Sequence, residues 1–151
     1  MSYSTVKDVL DYSHKIHKHA SNLYQQLRDQ TQRERVDMML QLLADHEEQL
    51  ARSMQNLHEH TSQRVLEEWH QFEPGSISQA LEGCKEYHAD ISVDELVQVA
   101  LRIDDYLIAL YRQMASEATS VEARQLFDSL IQLEETEKMR TVRAALSAND
   151  W

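Results

Sequence analysis

Five ionisable side chains interrupt apolar helical stripes: His17, Glu47, Asp104, Glu134 and Glu137. Steps of three and four put Val6, Leu10, Ser13, His17, Ala20, Tyr24 and Leu27 on one face. The same spacing groups Val36, Leu40, Leu43, Glu47, Leu50, Met54 and Leu57. It also groups Val97, Ala100, Asp104, Leu107, Tyr111 and Met114, and then Ala123, Phe127, Leu130, Glu134, Glu137, Thr141 and Ala144. A lone carboxylate buried in such a seam is costly unless it is protonated or paired. Carboxylates at one depth repel and raise each other's pKa. A divalent metal relieves that repulsion, because carboxylate oxygen and imidazole are its natural ligands. Two blander readings stand beside this one. Each group can sit at the seam's edge with its head in water. Alternatively Tyr24, Tyr111, His14 or a buried water can satisfy the layer. The expectation is a shared polar layer inside a helical bundle, with a divalent metal as a candidate occupant.

Four helices must position these residues. They are expected over about 4–30, 32–60, 92–117 and 120–146. Ser4 or Thr5 caps the first. Thr31 with Glu34 reads as a capping box for the second, and Ser92 with Glu95 as one for the third. Ser120 or a neighbour caps the fourth. Residues 62–92 differ in composition. They hold both glycines, the only proline, Cys84 and Trp69. They read as a long crossover with short amphipathic helical pieces at Val65–Phe72 and Ile77–Tyr87, packed on the bundle by Trp69 and Phe72.

The halves align without a gap at an offset of 87: Ile16 with Ile103, Leu23-Tyr24 with Leu110-Tyr111, Leu43 with Leu130, Glu47-Glu48 with Glu134-Glu135. His17 and Asp104 fall at equivalent positions. Two hairpins joined by one long crossover is ferritin-like connectivity.

On these residues the chain resembles a rubrerythrin-type member of the ferritin-like superfamily, over nearly all its length except 62–92. In that family the first and third helices carry a Glu seven residues before a Tyr. The second and fourth carry Glu-x-x-His. Here His17 stands seven before Tyr24, and Asp104 seven before Tyr111. Leu43-Ala-Asp-His-Glu47-Glu-Gln-Leu50 takes the second-helix place, and Leu130-Ile-Gln-Leu-Glu134-Glu-Thr-Glu137 the fourth. The resemblance implies that Glu47 and Glu134 match bridging carboxylates. It implies that Glu137 replaces a histidine, Asp104 and His17 replace glutamates, and Leu50 replaces a histidine with a side chain unable to bind metal. The paired cysteines of a rubredoxin module are absent from the sequence. The implied outcomes are a single-metal site, a mixed site with His17, or a former site now empty.

The remaining features narrow the function. The formal charge of −11 repels phosphate backbones and anionic lipid, so neither nucleic acid nor membrane is an expected partner. No apolar run approaches the roughly 18–20 residues that span a bilayer. The N-terminal Met-Ser-Tyr-Ser-Thr-Val-Lys does not read as a signal peptide, and the single Cys84 suits a reducing compartment, so a cytoplasmic location is expected. Cys84 lacks a recognisable base partner and reads as structural. His14 and His17 lie one turn apart and could form a half-site, with His46 a distant candidate. His58 and His60 read as a surface pair. Tyr24 and Tyr111 read equally as core tyrosines or as donors to the carboxylates. Two functions follow. One is a degenerate ferritin-like bundle, non-catalytic or weakly metal-binding, with an interaction or assembly role. The other is an iron- or manganese-binding oxidase or peroxidase. Self-association, as a dimer, is expected, and a further protein partner is open.

Overall fold

The computed structural model describes residues 3–72 and 90–148. In chain order the elements are β1 (Tyr3–Thr5), α1 (Val6–Gln30), α2 (Glu34–Glu59), α3 (Gln63–Leu66), β2 (Trp69–Gln71), α4 (Val93–Glu117) and α5 (Val121–Ser147). The four long helices form a bundle. α1 packs along α2, α4 packs along α5, and α2 joins the two hairpins by touching both α4 and α5. The core lies between them, with Ile16, Tyr24, Leu40, Ile103, Leu107, Tyr111, Phe127 and Leu130 all buried. Each such side chain contributes roughly 1.5–3 kcal/mol on leaving water. Among the described residues no helix is long and apolar enough to cross a membrane.

The helix starts follow local capping chemistry. Thr5 accepts from the Asp8 amide while the Asp8 carboxylate accepts from the Thr5 amide, and Ser92 and Glu95 repeat the arrangement on α4. Ser120 caps α5 by accepting from the Ala123 amide. The offset of 87 seen in the sequence is also the offset of the helix bounds. α1 and α4 begin at 6 and 93 and end at 30 and 117, while α2 and α5 begin at 34 and 121.

Three expectations need correction. The Thr31–Glu34 capping box does not form. Thr31 ends α1, its amide donating to the Leu27 carbonyl, and its hydroxyl accepts from the Arg33 amide at 3.2 Å. Glu34 is therefore the first residue of α2, two positions short of the third place from which a capping-box acid reaches back, and Arg33 at the cap position makes no side-chain cap. The helical piece expected over Val65–Phe72 stops after α3. The chain then extends, and β2 pairs antiparallel with β1, His70 opposite Ser4. Trp-His-Gln-Phe alternates outside and inside, as a strand does. Consequently Trp69 does not pack on the bundle and is 63% exposed, whereas Phe72 is buried with its ring edge-on to Tyr12. The first helix accordingly starts at Val6 rather than at residue 4, because Tyr3–Thr5 belong to the ribbon. The second expected piece, Ile77–Tyr87, and Cys84 lie outside the described residues.

Candidate functional site

All five singled-out residues are buried at one level of the bundle. His17 enters from α1 between Ser13 and Ala20, where the three-and-four spacing aims it inward. Its imidazole is fully enclosed. Nδ1 lies 2.5 Å from Glu47 Oε2 on α2, and Nε2 lies 2.6 Å from Glu134 Oε1 on α5. A neutral imidazole has one N–H and can donate once. Two short contacts to carboxylate oxygens are matched by the imidazolium, which donates from both nitrogens. Burial alone pushes the His17 pKa down, but the charges and hydrogen bonds of Glu134 and Glu47 outweigh it, leaving the group well above its usual value. The ring thus joins three helices and supplies a positive charge between two carboxylates.

The other two acids meet different fates. Glu137 Oε1 accepts from Arg140 Nη1 at 2.7 Å, and its Oε2 lies 3.4 Å from His46 Nδ1, beyond good hydrogen-bond geometry. Asp104 makes no hydrogen bond or ion pair among the described residues. Burial, reinforced by the negative Glu47 and Glu134, pushes its pKa up to about 9. Near neutral pH it is the uncharged acid. The pKa of Glu47 is also raised, burial outweighing the pull of His17. Asp104, without a cationic partner, is held in its uncharged form by desolvation.

Of the two tyrosines, Tyr111 directs its hydroxyl away from the carboxylates. The Tyr111 hydroxyl donates to Met54 Sδ at 3.8 Å, its ring stacks on Phe127, and burial raises its pKa. His14 is half-buried, and its pKa is lowered by burial and by neighbouring Lys18. His58 is half-buried and His60 exposed, and His60 Nδ1 meets the Asn56 carbonyl at 2.8 Å. Sequence reasoning missed Arg140 as the partner of Glu137. The i,i+3 spacing of Glu137 and Arg140 was the available signal. It also missed His70, buried beside Phe127 behind the strand pair.

The donor set does not fit a two-metal centre. Both nitrogens of His17 are engaged by carboxylates, Glu137 is held by Arg140, and Leu50 presents no donor. On α5 the fully buried oxygens Glu134 Oε2 and Glu137 Oε2, one turn apart, are without a hydrogen bond among the described residues. Among the described residues no three acidic, histidine or cysteine side chains are grouped to hold an ion.

No protein-family model and no curated protein sequence matches the chain. A solved structure does, at a TM-score of 0.65 over 98% of this chain and 99% of the other. It belongs to a Thermotoga maritima protein described as ferritin-like and diiron-carboxylate, 14% identical in sequence. The fold is ferritin-like. Within a ferritin-like bundle the layer of His17, Glu47, Asp104, Glu134 and Glu137 occupies the buried level between the hairpins. In this ferritin-like chain a cationic side chain lies where the two glutamates approach each other.

Proposed function

We propose that this is a ferritin-like bundle whose core site is closed by its own cation, and that it acts as a non-catalytic interaction or assembly module. The observation that carries the reading is the His17 ring held between Glu47 and Glu134 at 2.5 and 2.6 Å. An imidazolium there balances charge that a divalent ion would otherwise balance. It also takes the inner oxygens of both glutamates. Arg140 does the same for Glu137. Protonation of Asp104 removes one more negative charge, leaving a net charge of about −1 shared by Glu47 and Glu134 around the His17 ring. A layer compensated in this way holds α1, α2 and α5 together and occupies the glutamate oxygens nearest the ring.

The test is metal analysis of the full chain purified without chelator, then loaded with iron(II) or manganese(II). The expected result is substoichiometric metal and a melting temperature that does not rise with added ion. Stoichiometric metal with a rising melting temperature would overturn the closed-site reading. A second reading, an iron- or manganese-binding oxidase or peroxidase, is favoured by one feature only: the unbonded Oε2 atoms of Glu134 and Glu137. The same loading experiment decides between the two.

A further inference from the structure

We infer that the β1–β2 ribbon is a releasable strap. The Glu68 carboxylate latches it to the bundle, a buried unpaired nitrogen of His70 opposes the latch, and the ribbon opens as a unit while the four long helices stay packed. The inference does not depend on the closed core site, and its test can fail without touching that reading.

A ribbon of two three-residue strands has little stability of its own, so its docking contacts decide whether it stays in place. On its inner side Ser4, His70 and Phe72 are buried, while Tyr3 and Trp69 stay exposed on the outer side. The favourable contacts converge on Glu68, the residue before β2. Its Oε1 accepts from the Thr119 amide at 3.2 Å, the Thr119 hydroxyl at 2.6 Å and the Ser120 amide at 3.2 Å. Its Oε2 accepts from the Ser120 hydroxyl at 2.6 Å. These donors sit at the N-terminus of α5, where the helix dipole also favours a carboxylate. Burial alone would raise the Glu68 pKa, but the four donors outweigh it and hold it below its usual value. The Glu68 carbonyl meanwhile accepts from the Val6 amide at 2.9 Å. One residue therefore ties the ribbon to the start of α1 and to the turn before α5.

His70 works against the latch. It is buried, and its Nε2 has no hydrogen bond among the described residues. Glu68 Oε1 lies 3.6 Å away, too far for a hydrogen bond. That oxygen already takes three donors, which fills its lone pairs. Closing the latch and satisfying His70 are therefore competing demands. A buried polar atom left unpaired is costly, and water satisfies it once the ribbon lifts. The docked form thus has strong bonds on one side of its balance and an unmet one on the other. Lifting the ribbon also uncovers the rings of Phe127 and Tyr12, against which His70 and Phe72 now pack.

The experiment is amide hydrogen exchange by NMR on the full chain. It compares Val6 and the hydrogen-bonded ribbon amides with Leu43 and Leu107, which lie inside α2 and α4. The ribbon amides are expected to exchange at least ~100-fold faster than the two core amides, with a weak dependence on denaturant, as a local opening requires. Glu68→Gln sets an amide donor among donors. It is expected to speed ribbon exchange by about 10–100-fold and to leave Leu43 and Leu107 unchanged. Thr119→Val, at an exposed position, should act in the same direction by less. His70→Leu removes the unpaired nitrogen and is expected to slow ribbon exchange by about tenfold, opposite in sign to the loss of a residue that merely packs. Ribbon amides that exchange only together with the core would overturn the strap. Equal ribbon rates in the wild type and Glu68→Gln would overturn the latch. Unchanged or faster ribbon exchange in His70→Leu would overturn the opposing role of the imidazole, and with it the proposal.

Discussion

In the first hairpin the buried layer receives His17, Glu47 and Leu50; in the second, 87 positions later, it receives Asp104, Glu134 and Glu137. The backbones are matched, with equivalent capping boxes and equal α1 and α4 lengths of 25 residues. The chemistry is not. One hairpin supplies a base, an acid and a hydrocarbon, and the other supplies three acids. The contrast teaches that charge in this core is balanced between the hairpins rather than within each. His17 reaches across to Glu134 as well as to its own Glu47. Arg140 covers Glu137, and Asp104 is left to hold a proton.

Breaking that balance at His17 should have the largest effect. His17→Leu leaves two buried carboxylates without their cation. The expected loss is about 3–5 kcal/mol, read as a marked fall in melting temperature by circular dichroism. A change within about 0.5 kcal/mol, as at an ordinary surface position, would mean that the ring is not neutralising the glutamates.

Asp104 should respond in the opposite sense. Its pKa is about 9 in the folded chain and about 3.9 when unfolded. Between those values the folded state holds a proton that the unfolded state has released, so stability falls as pH rises through the window. His17 acts in the same direction: its contribution is complete below about pH 6.5 and is lost as pH climbs through its raised folded value. Asp104→Asn keeps the shape and removes one titration. It is expected to stabilise the chain by roughly 1–3 kcal/mol at neutral pH and to flatten the decline in denaturant midpoint between about pH 4 and about pH 9. Equal pH slopes in wild type and variant would show that Asp104 is already ionised.

The smallest effect concerns the one cap at which the hairpins differ. Ser120 caps α5, whereas Arg33, its equivalent, leaves α2 uncapped. Arg33→Ser should add about 0.5–1 kcal/mol, and Ser120→Ala should remove about 1 kcal/mol. Chemical denaturation of the two variants checks both. No gain from Arg33→Ser would mean that the Thr31–Arg33 turn cannot present the hydroxyl to the α2 amides.

The bundle was legible because helical spacing repeats over 25 or more residues and survives small local errors. Three of the four long-helix starts were readable from Thr5, Ser92 and Ser120. The fourth was not, since Thr31 and Glu34 satisfy a capping box by spacing alone and the chain uses Thr31 to end α1 instead. The strand pair escaped because three residues are too few for periodicity to outweigh a helical neighbourhood, although Trp69–Phe72 does alternate. Burial of the five layer residues was readable from the stripes. Their mutual bonding was not. Spacing says that a side chain points inward, but not which partner from another helix meets it. Hence the sequence reads His17 as a ligand, while the structure has it bonding two of the acids taken as its fellow ligands.

Nitrogen-15 NMR of the histidine rings tests the central claim most directly. His17 is predicted to show protons on both Nδ1 and Nε2 at neutral pH, each shifted far downfield by a short bond to carboxylate, and to keep them well above pH 6.5, the ordinary histidine value. A single-proton tautomer for His17 at neutral pH, or titration near the ordinary value, would contradict the account of a core closed by its own cation.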